Sequence, residues 1–340
     1  MNENEKILVT GGNGLVGAYI IRYLLKLGYR NIKATIRPSA VCDHISDFID
    51  QIDICPLDIR NVLDVYEEVD SIDYVFHTAA MVNFSNRAKK EMAEINVGGT
   101  MHLVDASLEK KVKKFIFISS VAALGRAKFF NFAQDEKTEW VESKYNSAYA
   151  VNKYLAELEV WRGWAEGLST YIVAPSLILG EGDFTRSSLV MYNKLKLQRK
   201  FYPQGSTGFV DVRDVASLAV KAALSDRAGE KVIASSENRK FKDVMGKMAM
   251  ELGLQPPTLK MPMILGQCMV WEERIRSFIT GGTPVITRSS LYSLMGRNEY
   301  INQKSINVFS HDYIPIDQSI KETCQIFSGI RKGPLLWNEN

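Results

Sequence analysis

The strongest constraint on the fold lies at residues 7–17. A short run of strand character, Ile7–Thr10, passes without a break into Gly11-Gly12-Asn13-Gly14-Leu15-Val16-Gly17. Leu15–Leu27 then shows helical spacing and stops at Gly28. Glycines at 11, 14 and 17 mark a place where a tight turn, a close backbone approach and close helix–strand packing all exclude a Cβ. A helix that opens directly out of such a turn offers unpaired N–H groups and the positive end of its dipole.

The rest of the first half supplies the context that a glycine triplet needs. Further strand-like runs occur at Ile32–Ile36, Ile52–Pro56, Tyr74–Thr78, Phe115–Ser119 and Tyr171–Ala174, separated by stretches of helix length. Runs that are apolar on both faces suit a parallel sheet covered by helices. The expectation is an α/β chain with a Rossmann-type doubly wound parallel sheet over residues 1–174. From Pro175 the pattern changes to helical segments broken by Pro, Gly and Ser clusters. Residues 175–340 are expected to form a smaller, mainly helical substrate lobe, with about 209–235 returning to the sheet. In that context Thr10, Gly11, Gly12, Asn13, Gly14, Leu15, Val16 and Gly17 are predicted to cradle the pyrophosphate of a dinucleotide.

Composition narrows the partners. With 340 residues, 46% apolar and 24% charged, the chain is long enough for a large core. A net charge of +3 is too mild for nucleic acid as the main partner. No apolar run reaches the length of a membrane span, and MNENEKILVTGG lacks a signal-peptide core. Cys42, Cys55, Cys268 and Cys324 lie far apart, as reduced thiols do in a cytoplasmic protein, the expected location. His44, His102 and His311 have no carboxylate or cysteine at ligand spacing, so no metal is expected.

The end of the second strand bears on the choice of cofactor. An acid there would accept hydrogen bonds from ribose hydroxyls, but the chain reads Ile36-Arg37-Pro38-Ser39. A guanidinium at Arg37 suits a 2′-phosphate, so NADP is predicted, with NAD as the alternative. Asp58 and Ile59, after the third strand, are expected at the adenine.

Tyr-x-x-x-Lys puts a phenol and an ammonium one helical turn apart, where the positive charge lowers the phenol pKa. The spacing occurs four times, at Tyr29/Lys33, Tyr149/Lys153, Tyr192/Lys196 and Tyr300/Lys304. The first spans a helix end and a strand start, and the last two lie in or beyond the second lobe. Only Tyr149/Lys153 opens a helix after the strand that ends in Ser119-Ser120, at the sheet edge where ligands bind.

TGGNGLVG (10–17), HTAA (77–80), NVGGT (96–100), SSVAALG (119–125), YAVNK (149–153) and DVRDVA (211–216) together resemble the extended short-chain dehydrogenases/reductases. The resemblance implies a catalytic set of Ser120 (rather than Ser119), Tyr149 and Lys153, with Asn96 supporting it. It also implies that Ala79, Ala80, Tyr149, Lys153, Pro175, Ser176 and Leu177 line the cofactor, and that a helix-mediated homodimer forms. His77 reads as a strand-end residue of the family pattern. Met81, Phe84 and Ala122 are expected against the substrate, bordered by the loop 81–85 and the interval 140–147.

ATIRPS (34–39) and the run 287–305 are similar to the dihydroflavonol reductase and 3β-hydroxysteroid dehydrogenase branch. That branch implies reduction of a ketone or aldehyde on an apolar molecule, or the reverse. Gly205–Asp211 lacks the arginine usual in nucleotide-sugar epimerases and dehydratases, the alternative activity. A non-catalytic NADP-binding sensor is a further alternative, but such proteins typically lose the tyrosine or lysine present here. Met261, Met263, Ile264, Leu265, Met269, Val270 and Trp271 read as helix core or as the wall of an apolar pocket.

Overall fold

The computed structural model describes residues 1–38, 45–83, 88–125, 133–197, 200–280 and 287–337, and of Ser187 and Phe278 the backbone alone. Strand β1 (Ile7–Thr10) is buried along its whole length, as its apolar residues on both faces require. It pairs in parallel with β2 (Ile32–Ile36) on one side and β4 (Tyr74–His77) on the other. Beyond β2 lies β3 (Asp53–Pro56); beyond β4 lie β5 (Lys114–Ile118), β6 (Thr170–Pro175) and, further along the chain, β10 (Glu230–Ala234). All seven strands run parallel, and the strand order reverses direction between β1 and β4. In open α/β sheets the crevice beyond that reversal is where ligands bind.

Helices cover both faces. On one face α1 (Leu15–Lys26) packs against α7 (Val212–Leu224), burying Ile20, Ile21, Leu24, Leu218 and Val220 over β1 and β6. On the other face lie α2 (Val62–Glu68), α4 (Gly99–Glu109) and α5 (Ala148–Ala165), with Leu103, Val104, Ala156 and Val160 at the centre. Short α3 (Lys89–Ala93) passes through a π turn, Glu94–Gly98, into α4. The remaining elements form a second cluster: β7 (Leu177–Leu179), α6 (Val190–Lys196), β8 (Phe201–Tyr202), β9 (Ser206–Asp211), β11 (Glu237–Lys240), α8 (Phe241–Glu251), β12 (Leu259–Lys260), α9 (Met263–Thr280), α10 (Arg288–Met295), α11 (Gln303–Phe309) and α12 (Ile316–Phe327). Here β9 is central to a small sheet, parallel to β7 and antiparallel to β11.

The strand expectations hold with shifted edges. Ile52, Thr78 and Ser119 fall outside their strands, so Ser119 and Ser120 lie in the turn beyond β5. Helix α5 does not follow that strand directly either: a 3-10 turn, Val121–Leu124, and the residues up to its N-cap Ser147 intervene. The stretch 261–271 is not plain helix core: Met263, Leu265, Met269 and Val270 are only half-buried. Met261 is buried, but Ile264 and Trp271 are 75% and 60% exposed. The reason is that α9 meets α10 at Gly266, where a Cβ would stand 2.5 Å from Leu291, and leaves Ile264, Trp271, Ile275 and Ile279 exposed.

Two charged clusters tie the second cluster of elements to the sheet. Asp211 caps α7 and chelates Arg213 through both oxygens at 2.9 Å, and Arg213 also meets Glu322 at 2.7 Å. His311, which has no carboxylate at ligand spacing in the sequence, meets Asp214 at 3.2 Å, brought there by the turn beyond α11. Residues 335–337 lie across α1: Leu335 donates its N–H to the Tyr19 hydroxyl, and Trp337 packs against the Tyr23 ring at 4.5 Å.

Candidate active site

The glycine loop is built by exclusion. Gly11 has φ +69°, and a Cβ there would lie 2.9 Å from the Ala79 Cα on the loop after β4. A Cβ on Gly17 would stand 2.3 Å from the Gly11 carbonyl oxygen, and one on Gly12 would stand 2.7 Å from the Ala34 Cβ. The Gly14 N–H donates to the Gly11 oxygen at 2.8 Å and closes the turn. Helix α1 then starts with Gly14 as N-cap, no side-chain cap and no acid in its first turn. By contrast α2, α5 and α7 are capped by Asn61, Ser147 and Asp211. An uncapped N-terminus aimed past the sheet edge, in a cradle that a Cβ would fill, fits a bound pyrophosphate.

The other predicted contacts spread along the same edge. Arg37 is exposed just beyond β2. Asp58 is half-buried beyond β3, and the Arg60 guanidinium holds its carboxyl below the usual range, with a smaller effect from Arg37. Ile59 points inward, its side chain against Gly99 at the head of α4. Ala79 and Ala80 follow β4, and Pro175, Ser176 and Leu177 join β6 to β7. Phe84 lies outside the described residues, as do Ser39, His44 and Cys42.

Beyond β5, Ser120 caps the 3-10 turn by accepting from the Ala122 N–H at 3.2 Å, and its hydroxyl pairs with the Tyr149 hydroxyl. One turn along α5, the Lys153 ammonium donates to the Ile118 carbonyl at 2.8 Å and lies 4.7 Å over the Phe117 ring. Burial lowers its pKa to about 8, against the opposing charge of Glu157. The phenol departs from expectation: burial pushes Tyr149 up to about 12, with Ser120 pulling the other way. Desolvation of a would-be phenolate outweighs the neighbouring charge here, so Tyr149 carries its proton at neutral pH. The other Tyr-x-x-x-Lys pairs sit elsewhere: Tyr192 is core between Phe184 and Phe327, and Tyr300 is buried beside Val121.

Asn96 lies buried in the π turn, exchanging two hydrogen bonds with the Met81 backbone at 2.7 and 2.9 Å. Its carbonyl ends a chain that residue spacing did not reveal. Thr100 Oγ1 donates to that carbonyl at 2.6 Å, so it accepts from His77 Nε2 at 2.9 Å. His77 Nδ1 then accepts from Thr10 Oγ1 at 2.7 Å, and Thr10 Oγ1 accepts from the Thr78 and Ala79 N–H groups. Each donor has one acceptor, which fixes His77 as the neutral Nε2–H tautomer. Burial, and to a smaller extent Lys153, lower its pKa to about 3. The available signal was a histidine closing an otherwise apolar strand.

The chain belongs to the NAD dependent epimerase/dehydratase family, whose pattern matches residues 7–234. It is an enzyme of the NAD(P)-dependent extended short-chain dehydrogenase/reductase class. A Synechocystis sp. protein that bears the name of a dihydroflavonol 4-reductase is 26% identical over 94% of this chain and 93% of its own. An Arabidopsis thaliana protein named 3beta-hydroxysteroid-dehydrogenase/decarboxylase isoform 1 is 23% identical, over 97% of this chain and 82% of its own. The fold is shared with a Thermotoga maritima UDP-glucose 4-epimerase solved with UDP-glucose: the TM-score is 0.76 at 18% identity, over 96% of this chain and 99% of that one.

The pKa of about 3 makes a signed prediction, since it lies below the ordinary 6.5. The stability that neutral His77 contributes is complete above pH 6.5 and is lost as the pH falls towards 3. Between pH 7 and 5 the wild type should lose about 2 kcal/mol more than His77→Gln in urea unfolding. Asp214 titrates in both proteins and cancels. An equal loss in the two proteins would show that His77 takes up its proton within the fold.

Proposed function

We propose that the enzyme is an NADP-dependent oxidoreductase that reduces a ketone or aldehyde on a small apolar molecule to an alcohol, or runs the reverse reaction. The observation that carries this reading is the Tyr149–Ser120 hydroxyl pair at the carboxyl edge of the sheet, with Lys153 one turn below. When bound, the nicotinamide supplies the hydride. Tyr149 keeps its proton at neutral pH and gives it to the carbonyl oxygen as negative charge develops there. Ser120 donates to the same oxygen. Lys153 holds the nicotinamide ribose, and Asn96 holds the Met81 backbone beside the substrate. Thr10 and Gly11–Gly17 hold the pyrophosphate, Arg37 the 2′-phosphate and Asp58 the adenine amino group. Ala79, Ala80 and Pro175–Leu177 line the cofactor, and Met81 and Ala122 border the substrate.

The relatives named for reductases and hydroxysteroid dehydrogenases support an apolar substrate without a nucleotide. So does β9, which offers buried Phe209 and no arginine before Asp211. Residues 1–174 then serve as the cofactor domain and 175–340 as the substrate lobe, with about 209–235 returning to the cofactor domain. A second copy of the chain suits the outer stripe Val151, Leu155 and Leu158 on α5 together with Met101 on α4, all exposed. Sedimentation should therefore give a homodimer, and a monomer at micromolar concentration would remove this part of the proposal.

NADPH oxidation with a panel of aldehydes, cyclic ketones and flavonoid- and steroid-like ketones tests the activity. Tyr149→Phe should lower turnover by ~10²–10⁴-fold with little change in NADPH affinity. Near-normal turnover by that variant would mean that another group supplies the proton, and efficient turnover of a nucleotide sugar would reverse the substrate assignment. In calorimetry Arg37→Ala should weaken NADP binding by about tenfold or more while sparing NAD. Unchanged affinities for both would show that the guanidinium does not choose the cofactor.

A further inference from the structure

Helix α5 carries a third functional-looking group on the face that holds Tyr149 and Lys153. Glu157 lies one turn beyond Lys153 and is 4% exposed. Both of its carboxylate oxygens are engaged by other elements. Ser119 Oγ, from the turn after β5, donates to Oε1 at 2.5 Å, and Lys231 Nζ, from β10, donates to Oε2 at 2.7 Å. Lys231 is itself 8% exposed, so the ion pair is buried on both sides. A pair of this kind contributes little net stability, since a well-packed apolar pair often does as well or better. Its position behind Lys153 gives it another role.

We infer that Glu157, one turn along α5 and oriented by Ser119 and Lys231, is a positioning residue that keeps the Lys153 ammonium charged at the cofactor. The inference rests on the proposed role of Lys153 at the nicotinamide ribose. Among the described residues, few groups face Lys153. From α5 there are Tyr149, which is protonated, and Glu157; from β5 there are the Ile118 carbonyl and the Phe117 ring. From β4 comes His77, which is neutral. From β10, Lys231 acts through Glu157. Among these only Glu157 brings negative charge, and desolvation alone favours the neutral amine. Ser119 thereby gains a role distinct from that of its neighbour: Ser120 faces Tyr149, while Ser119 anchors the carboxylate that serves Lys153. Lys231 offsets part of the Glu157 charge, so the two members of the pair act on Lys153 with opposite sign.

That opposition separates an electrostatic role from a structural one. NADPH affinity of the full-length enzyme, read by fluorescence across about pH 6 to 10, should fall on an alkaline limb as Lys153 loses its proton. Glu157→Gln should move that limb to lower pH by on the order of one unit, and Lys231→Met should move it to higher pH. If a single variant does not fold, the double variant Glu157→Gln/Lys231→Met removes both charges at nearly constant shape. Its limb should still move to lower pH, by less. Limbs that stay in place, or that move the same way in both single variants, would overturn the inference. Lys153→Met distinguishes the two layers of the argument. Loss of the limb there, with no movement in the other variants, rejects the role of Glu157 alone. A limb that survives in Lys153→Met rejects the ribose contact and this inference with it.

Discussion

Backbone meets backbone without an intervening Cβ where β1 turns into α1, and the arrangement of the site depends on that crowding. The Gly11 carbonyl, the Gly17 Cα and the Ala79 backbone occupy a space that no side chain could share. That approach sets the distance between the first turn of α1 and the end of β4. It also draws the loop after β4 across the strand-order reversal, so the helix terminus and the Met81–Asn96 contact border one crevice. A methyl group at Gly17 would push the Gly11 carbonyl away and undo both alignments together.

The polar interior is organised around the same crevice. The chain from Thr10 through His77 and Thr100 to the Asn96 carbonyl joins β1, β4 and the π turn by hydrogen bonds of fixed direction. Such a chain is costly unless every member is satisfied, and here each one is. A neutral His77 also spares Lys153 a second positive charge within the same buried space. Electrostatics and geometry therefore share their components: the residues that hold the loops in register also set which groups near Tyr149 are ionised.

Much of this was legible in the chain, because it depends on local spacing. The glycine triplet, the two-sided apolar strands and the Tyr149/Lys153 spacing each carry their meaning within a few residues. What stayed hidden depends on partners far apart in sequence. Glu157 meets Lys231 across 74 positions, and His311 meets Asp214 across 97, so neither pairing leaves a local pattern. The phenol pKa was misjudged for a related reason: the Tyr-x-x-x-Lys spacing shows the nearby charge but not the desolvation that outweighs it. The stretch 261–271 reads as helix core or as a pocket wall because its composition is apolar, yet the close contact at Gly266 leaves Ile264 and Trp271 exposed.

The clasp that Leu335 and Trp337 close over α1 has a consequence for synthesis. Tyr19 accepts from the Leu335 N–H, 316 positions away, and Trp337 closes over Tyr23 on the same helix. On a ribosome that delivers the chain from its N-terminus, α1 emerges well before its partners, and these contacts must wait until Trp337 has left the exit tunnel. The α7 side of the same face also arrives late. While the intervening residues are made, the outer face of α1 therefore lacks its covering, and the nascent chain is exposed there to chaperones, proteases and mispairing. Of these three segments, the first to be made is the last to be covered.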